Sequence, residues 1–180
     1  MSPVDAGSAA LAIASPEEVT VSQCADKHRI LSVRSAKPGQ WETSHVPFMR
    51  EFMDSFGIDC IEEIWMVKPS QTGGTDSLLN MVLYAATQDP GPAMIVEPTE
   101  SLADEISQER IDEMIRTCDA LREVKSQADD ETTKRKKTFA SMTLYFAWAG
   151  SPASLASRPI RYVFFDEVNK YPLFSGKEAS

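Results

Sequence analysis

The chain has 180 residues, of which 42% are hydrophobic and 25% charged, and its formal net charge is −9. That size and mix suit a globular domain with a buried core, while the acidity argues against a broad basic face that coats nucleic acid and leaves room only for a local patch. The three scattered cysteines (Cys24, Cys60, Cys118) and two distant histidines (His28, His45) form no CxxC or Cys/His cluster, which disfavours a disulfide scaffold or zinc site and fits a reducing compartment.

Apolar runs are short, so no membrane span is expected. Residues 1–20 lack the basic start of a secretory signal and read as a flexible arm, which leaves 21–180 as the domain. In AKPGQWETSHVPFMREFMDSFG, Phe48, Met49, Phe52, Met53 and Phe56 fall at helical spacing, and Gly57 is a natural stop. IEEIWMVK (61–68) is rich in strand formers. TDSLLNMVLYAAT (75–87) is apolar on most faces and predicts a buried helix. AMIVEP (93–98) predicts a second strand. After it, Thr99 or Ser101 opens a long amphipathic helix with Leu102, Ile106, Ile111, Met114 and Ile115 inward and an end near Leu121. The charged segment 125–138 predicts a loop or small hairpin, and TLYFAWAG (143–150) a strand. AGSPASLASRP (149–159) is a loop of small residues. RYVFFDE (161–167) is an apolar strand ending in two acids, and the segment after it completes no clear element. Strands alternating with helices predict an α/β fold, a mainly parallel sheet with helices on both faces.

Between the first strand and its helix lies KPSQTGGTDS (68–77). The phosphate-binding pattern is G-x-x-x-x-G-K-[ST]. Gly73 and Thr75 match its second glycine and its hydroxyl. Gly74 stands where the lysine falls, and Lys68 where the first glycine falls. The strand–loop–helix frame is the one a P-loop needs. In such a loop the backbone NH groups of 72–75 and the helix N-terminus cradle phosphate. The acids ending RYVFFDE come roughly 90 residues later, also after an apolar strand. At a strand's carboxyl end, Asp166 would hold Mg²⁺ together with Thr75, and Glu167 would orient or deprotonate the attacking water. A structural glycine turn beside an unrelated acidic pair is the plainer alternative.

The stretches PGQWETSHVPFMREFMD, IWMVKPSQTGGTDSLLN, QDPGPAMIVEPTESLADEISQERIDEMI and AGSPASLASRPIRYVFFDEVNKYP resemble the ATPase region of the bacteriophage terminase large subunit, in its lambda GpA-like branch. The likeness covers 38 to about 172. It implies a P-loop NTPase with a helicase-like core, using ATP and Mg²⁺ to drive double-stranded phage DNA into a procapsid. Many members have G-K-T where this chain has Gly73, Gly74 and Thr75. Others carry the working lysine at the loop's start, which makes Lys68 the candidate phosphate lysine.

The nucleotide contacts would then be Lys68, Ser70, Gln71, Thr72, Gly73, Gly74, Thr75 and Asp76, with Gln71 contacting nucleotide or the attacking water or only bracing the loop, and Lys68 being otherwise a solvated strand-end lysine. Trp41 offers an adenine-stacking face or is simply core. Thr99 contacts a nucleic-acid backbone or only caps its helix. Lys134, Arg135, Lys136 and Lys137 make DNA contacts or form a solvated loop. Arg158 and Arg161 are weak candidates for an arginine acting on a neighbouring subunit. The implied partners are a small terminase subunit, the portal of the procapsid and further copies of the chain, in the host cytoplasm and away from membranes. Members are several hundred residues longer, so the resemblance implies a truncated ATPase domain without the nuclease domain, hence weak activity alone and no nuclease activity. Two other readings stay open: a non-hydrolysing nucleotide-binding or structural module, and a helicase-like ATPase outside packaging.

Overall fold

The structure is a computed structural model and describes residues 19–69, 71–125, 133–151, 155 and 158–172. The expected arm falls almost wholly outside the described residues, as does Ser70. Where that arm was to end, a helix begins. Thr20 and Gln23 form a reciprocal capping box that opens α1 (Val21–His28) and satisfies two backbone donors of its first turn. Val21, Cys24 and Ala25 are its buried side. Ser22 donates from its backbone N and from its Oγ to the Asp54 carboxylate, at 2.7 and 2.9 Å. These bonds tie α1 to α2 (Arg50–Asp54), which lies between two single 3₁₀ turns, Pro47–Met49 and Ser55–Gly57. The stripe read from the sequence is real but uneven: Met49 and Met53 are buried, while Phe48 stays 63% exposed. Two very short strands, β1 (Ile30–Leu31) and β2 (Gly39–Gln40), pair antiparallel beside α1.

The helix after the glycine loop, α3 (Gly74–Thr87), is buried over Ser77–Leu83 and again at Ala85 and Ala86, as its apolar sequence predicts. β3 (Ala93–Glu97) follows and is buried at every residue. Next come α4 (Glu100–Glu105), a π-helical turn (Ile106–Ile111), α5 (Asp112–Thr117) and α6 (Asp119–Val124). β4 (Lys136–Thr138), β5 (Thr143–Trp148) and β6 (Tyr162–Phe165) complete a four-stranded sheet in the order β4-β5-β3-β6. β3 pairs parallel with both β5 and β6, and only β4 runs antiparallel. The mainly parallel sheet expected from the alternating pattern is therefore present.

Three expectations need correction. First, 61–68 is not a strand. It pairs with no described strand, and Trp65 and Val67 are 79% and 103% exposed, although Met66 packs against the core. Strand propensity expresses packing against neighbouring strands, and here no described strand pairs with it. Second, the long helix is not continuous. The π-turn widens it at Ile106–Ile111, and extended backbone at Cys118 breaks it before α6. Third, the described helices cover one face of the sheet, not both. Ile95, Leu144, Phe146 and Phe164 join the helical core, whereas Met94, Val96 and Ala147 on the opposite face form a small second cluster with Tyr145, Ile160 and Tyr171 among the described residues.

Candidate nucleotide site

The glycine loop meets α3 at Gly73, the helix N-cap, with φ +83°. A side chain is disfavoured in that left-handed conformation, so glycine is the fitting residue. Gln71 is also left-handed, at φ +58°. Thr72 Oγ1 donates to the Pro69 carbonyl at 2.9 Å and tightens the turn. Gly74 has a different reason to be glycine. A Cβ there would overlap Cδ and Cε of Lys68 and come within 2.9 Å of its Nζ. The Lys68 stem thus crosses the first turn of α3 in the space that a side chain at position 74 would occupy. The misplaced lysine and the missing one are two halves of a single packing arrangement.

The acidic strand end meets the loop directly. Thr75 Oγ1 donates to Asp166 Oδ2 at 2.6 Å, across a separation of 91 residues. Asp166 is 6% exposed, and its Oδ1 accepts the backbone NH of Glu167 at 2.9 Å. The parallel pairing of β6 with β3 delivers Asp166 here, and its own NH bonds the Val96 carbonyl at 3.2 Å. Glu167 is left-handed, at φ +49°, and pairs with Lys170. Among the described residues Gln71 and Glu167 are the non-glycine positions with positive φ. Such strained residues gather at functional sites. Here they flank the Thr75–Asp166 bond.

Sequence reasoning overlooked Glu97. It ends β3, is 3% exposed, and its Oε1 has no hydrogen-bond partner. Burial, reinforced by the charges of Asp166, Glu167 and Glu105, pushes its pKa up to about 8. At neutral pH it therefore holds its proton for most of the time. Nothing in AMIVEP marked it, because its burial depends on β5 and β6 packing beside β3. Tyr171 closes the same end by donating to the Val96 carbonyl at 2.7 Å; burial, then Glu97 and Asp166, raises the pKa of its phenol.

Asp76 turns away from the loop. Its Oδ1 accepts from Arg110 Nη2 at 2.6 Å and from Arg29 Nη2 at 3.4 Å. Neither arginine stood out in the sequence, since their meeting depends on tertiary packing. Thr75, Glu97, Glu105, Arg110, Asp166 and Glu167 line one open cleft.

The remaining candidates lie apart from it. Trp41 is 6% exposed and donates from Nε1 to Thr43 Oγ1 at 3.1 Å, so it is a core residue with no open stacking face in this conformation. Thr99 caps α4 by accepting from the Leu102 NH at 3.3 Å. The basic run is divided in its surroundings. Lys134 is exposed and Lys136 half-buried, but Lys137 is buried against Asp112. Arg135 is spent on Glu100, Asp104 and the Trp148 ring. Arg161 forks onto both oxygens of Asp89 at the opposite end of β6, and Arg158 lies over the Tyr145 ring. No group of three or more His, Cys, Asp or Glu side chains able to hold a metal occurs among the described residues, and no described helix is long and apolar enough to cross a membrane.

Residues 35–180 match the family model described as "Phage terminase large subunit gpA, ATPase domain". The terminase large subunit of Enterobacteria phage P21 is 27% identical over 175 residues, covering 94% of this chain and 27% of that protein. The terminase large subunit of Escherichia phage lambda is 31% identical over 107 residues, covering 59% of this chain and 16% of that protein. The chain thus spans about a quarter or less of the length of these relatives. No solved structure matches.

Proposed function

The chain belongs to the ATPase-domain family of the phage terminase large subunit, and on that premise we propose that it binds and hydrolyses ATP to move double-stranded DNA during packaging. The observation that carries this reading is the 2.6 Å bond between Thr75 and Asp166. It joins the hydroxyl of a glycine loop to a carboxylate at a strand's end, the two groups that a Mg²⁺–nucleotide site brings together.

The donor set fits the cofactor. A hydroxyl and a carboxylate are hard oxygen ligands of the kind Mg²⁺ takes, and the triphosphate and water would complete its octahedron. Bound there, Mg²⁺ would neutralise charge on the phosphates. The chain's own groups do the rest. NH groups at the start of α3 face the phosphates, with the helix dipole in support. Lys68 brings its ammonium to the β/γ region from the front of the loop. Gln71 and Thr72 keep the loop tight enough for that approach. Glu167 orients a water and takes its proton. The water oxygen bonds to the γ-phosphorus as the bond to the bridging oxygen breaks, leaving ADP, phosphate and a proton. Lys170 pairs with Glu167, so Glu167 must shed that partner to act as a base. Duplex DNA, a small terminase subunit, a portal and further copies of the chain are the partners proposed for packaging.

Turnover of ATP measured with and without duplex DNA tests the reading. Lys68→Ala and Glu167→Gln are each expected to lower kcat by about 10²-fold or more, the usual loss when a preorganised charge or a catalytic acid–base group is removed. Thermal melting of both variants should stay close to wild type. A wild type that binds no nucleotide, or turnover untouched by both substitutions, would sink the assignment.

A further inference from the structure

Arg110 sits in the π-helical turn Ile106–Ile111 and faces the candidate nucleotide cleft. A π-turn adds a residue to the helical circuit and recurs at functional positions, because it re-aims side chains on one face. Here the helix brings Arg110 Nη2 to 2.6 Å from Asp76 Oδ1 in the first turn of α3, one residue beyond Thr75.

Asp76 already has another cation. Arg29 Nη2 lies 3.4 Å from the same oxygen. The two arginines are not equivalent. The Arg29 side chain is 5% exposed, and that of Arg110 is 37% exposed. Burial pulls the Arg29 pKa down and the Asp76 charge opposes the shift, so Arg29 is held by its carboxylate. Removing a buried charge from its partner is strongly unfavourable. Arg110 can leave Asp76, because Arg29 remains to neutralise it and solvent already reaches the Arg110 side chain. The cleft it would enter is acidic, with Glu105, Asp166 and Glu167 on its walls. A bound triphosphate would add more negative charge there. A planar guanidinium is the group best shaped to meet phosphoryl oxygens through two bonds.

We propose that Arg110 is a catalytic arginine acting within its own chain: parked on Asp76 as seen here, it swings onto the phosphoryl oxygens when nucleotide is bound, while Arg29 stays to neutralise Asp76. This rests on the ATPase reading above. It places the charge-stabilising arginine on the π-turn after α4, which lines the cleft, rather than at Arg158 or Arg161, which do not line it. The arginine does not alter the bonds made and broken in hydrolysis. It stabilises charge on the transferring group, and Glu167 remains the proton acceptor.

The test uses the full chain with Mg²⁺ and compares binding of ADP with binding of ADP plus aluminium fluoride, a mimic of the transferring phosphoryl group. Wild type, Arg110→Ala and Arg110→Lys are titrated after their melting temperatures are recorded. ADP affinity should change by no more than about 3-fold. Affinity for the aluminium fluoride complex should fall by about 100-fold or more, in keeping with the large effects of arginines that act on phosphoryl transfer. Arg110→Lys keeps a cation for Asp76, so it decides the matter if Arg110→Ala does not fold. If wild type and variants bind the fluoride complex equally well, Arg110 is only an ion-pair partner and the proposal is overturned. If wild type binds neither ligand, the ATPase reading fails first and the role of Arg110 falls with it.

Discussion

Lys68 and Gly74 act as a pair. In the sequence they are two departures from one motif; in space the lysine stem fills the volume that the glycine leaves empty. Gly74→Ala should therefore push the flexible end of Lys68 aside and lower ATP turnover, but by less than Lys68→Ala does. Gly74→Lys should bring no gain, since the new side chain must compete for the same space. Steady-state turnover of the three variants, with melting curves as fold controls, checks both expectations. Glu97 makes a separate prediction through pH. Its pKa is raised from the ordinary 4.5 to about 8 by burial and by neighbouring acids. Below pH 4.5 the folded and unfolded chains both hold the proton. Between 4.5 and about 8 only the folded chain holds it, so this group's contribution to stability declines as pH rises through that window. Glu97→Gln, neutral throughout, should gain stability over wild type progressively across the window and level off above it. Denaturant melts at several pH values, without Mg²⁺ or nucleotide, would show a constant difference if the carboxyl were already ionised. The chemistry-bearing types at Lys68, Thr75, Asp166 and Glu167 were legible from spacing and from their place after apolar runs. Arg29, Arg110 and Glu97 were not, because their roles arise from contacts between distant segments.

At the level of elements, one capping signal was read and another, the Thr20/Gln23 box before α1, was not. Thr99 caps α4 as the sequence suggested, by accepting the Leu102 NH. Thr99→Ala should destabilise the fold by about 1 kcal/mol and Thr99→Ser by little, as read from chemical denaturation. A loss well above that range would point to a further role for the hydroxyl. The helix around Met49 and Met53, the buried α3 and strands β3, β5 and β6 also followed from apolar pattern and turn residues. The π-turn had no such signal. Ile106, Ile111, Met114 and Ile115 suit an α-helical stripe well enough, and only the packed helix reveals the additional residue. The α1 helix was missed for a different reason. Its apolar stripe of Val21, Cys24 and Ala25 is short and set in a polar sequence, VSQCADKH, and its capping box and bonds to Asp54 add to its stability.

Across the described residues, burial is uneven at the edge of the sheet, although Met94, Val96 and Ala147 are buried on its second face. The helical face of the sheet is closed, while Val163 and Phe165 on the other face of β6 remain 45% and 56% exposed. β6 is also an edge strand, and Trp65 and Val67 add further apolar surface on the unpaired segment before the loop. Exposed apolar edges favour strand addition and self-association. The purified chain should bind an apolar dye and show scattering that grows with concentration, and Val163→Lys should reduce both. A monodisperse, dye-negative wild type would argue that this surface is closed in solution. The sequence by itself determined the α/β class, the order of the glycine loop and acidic strand end, and the family resemblance, because periodicity, turn chemistry and local wording are properties of neighbouring residues. Only the tertiary structure decided that 61–68 lies outside the sheet, that Lys68 occupies the space of Gly74, and that Arg110 and Arg29 share Asp76. Those outcomes depend on which distant surfaces meet and on the volume and charge left between them, and a one-dimensional pattern does not encode either directly.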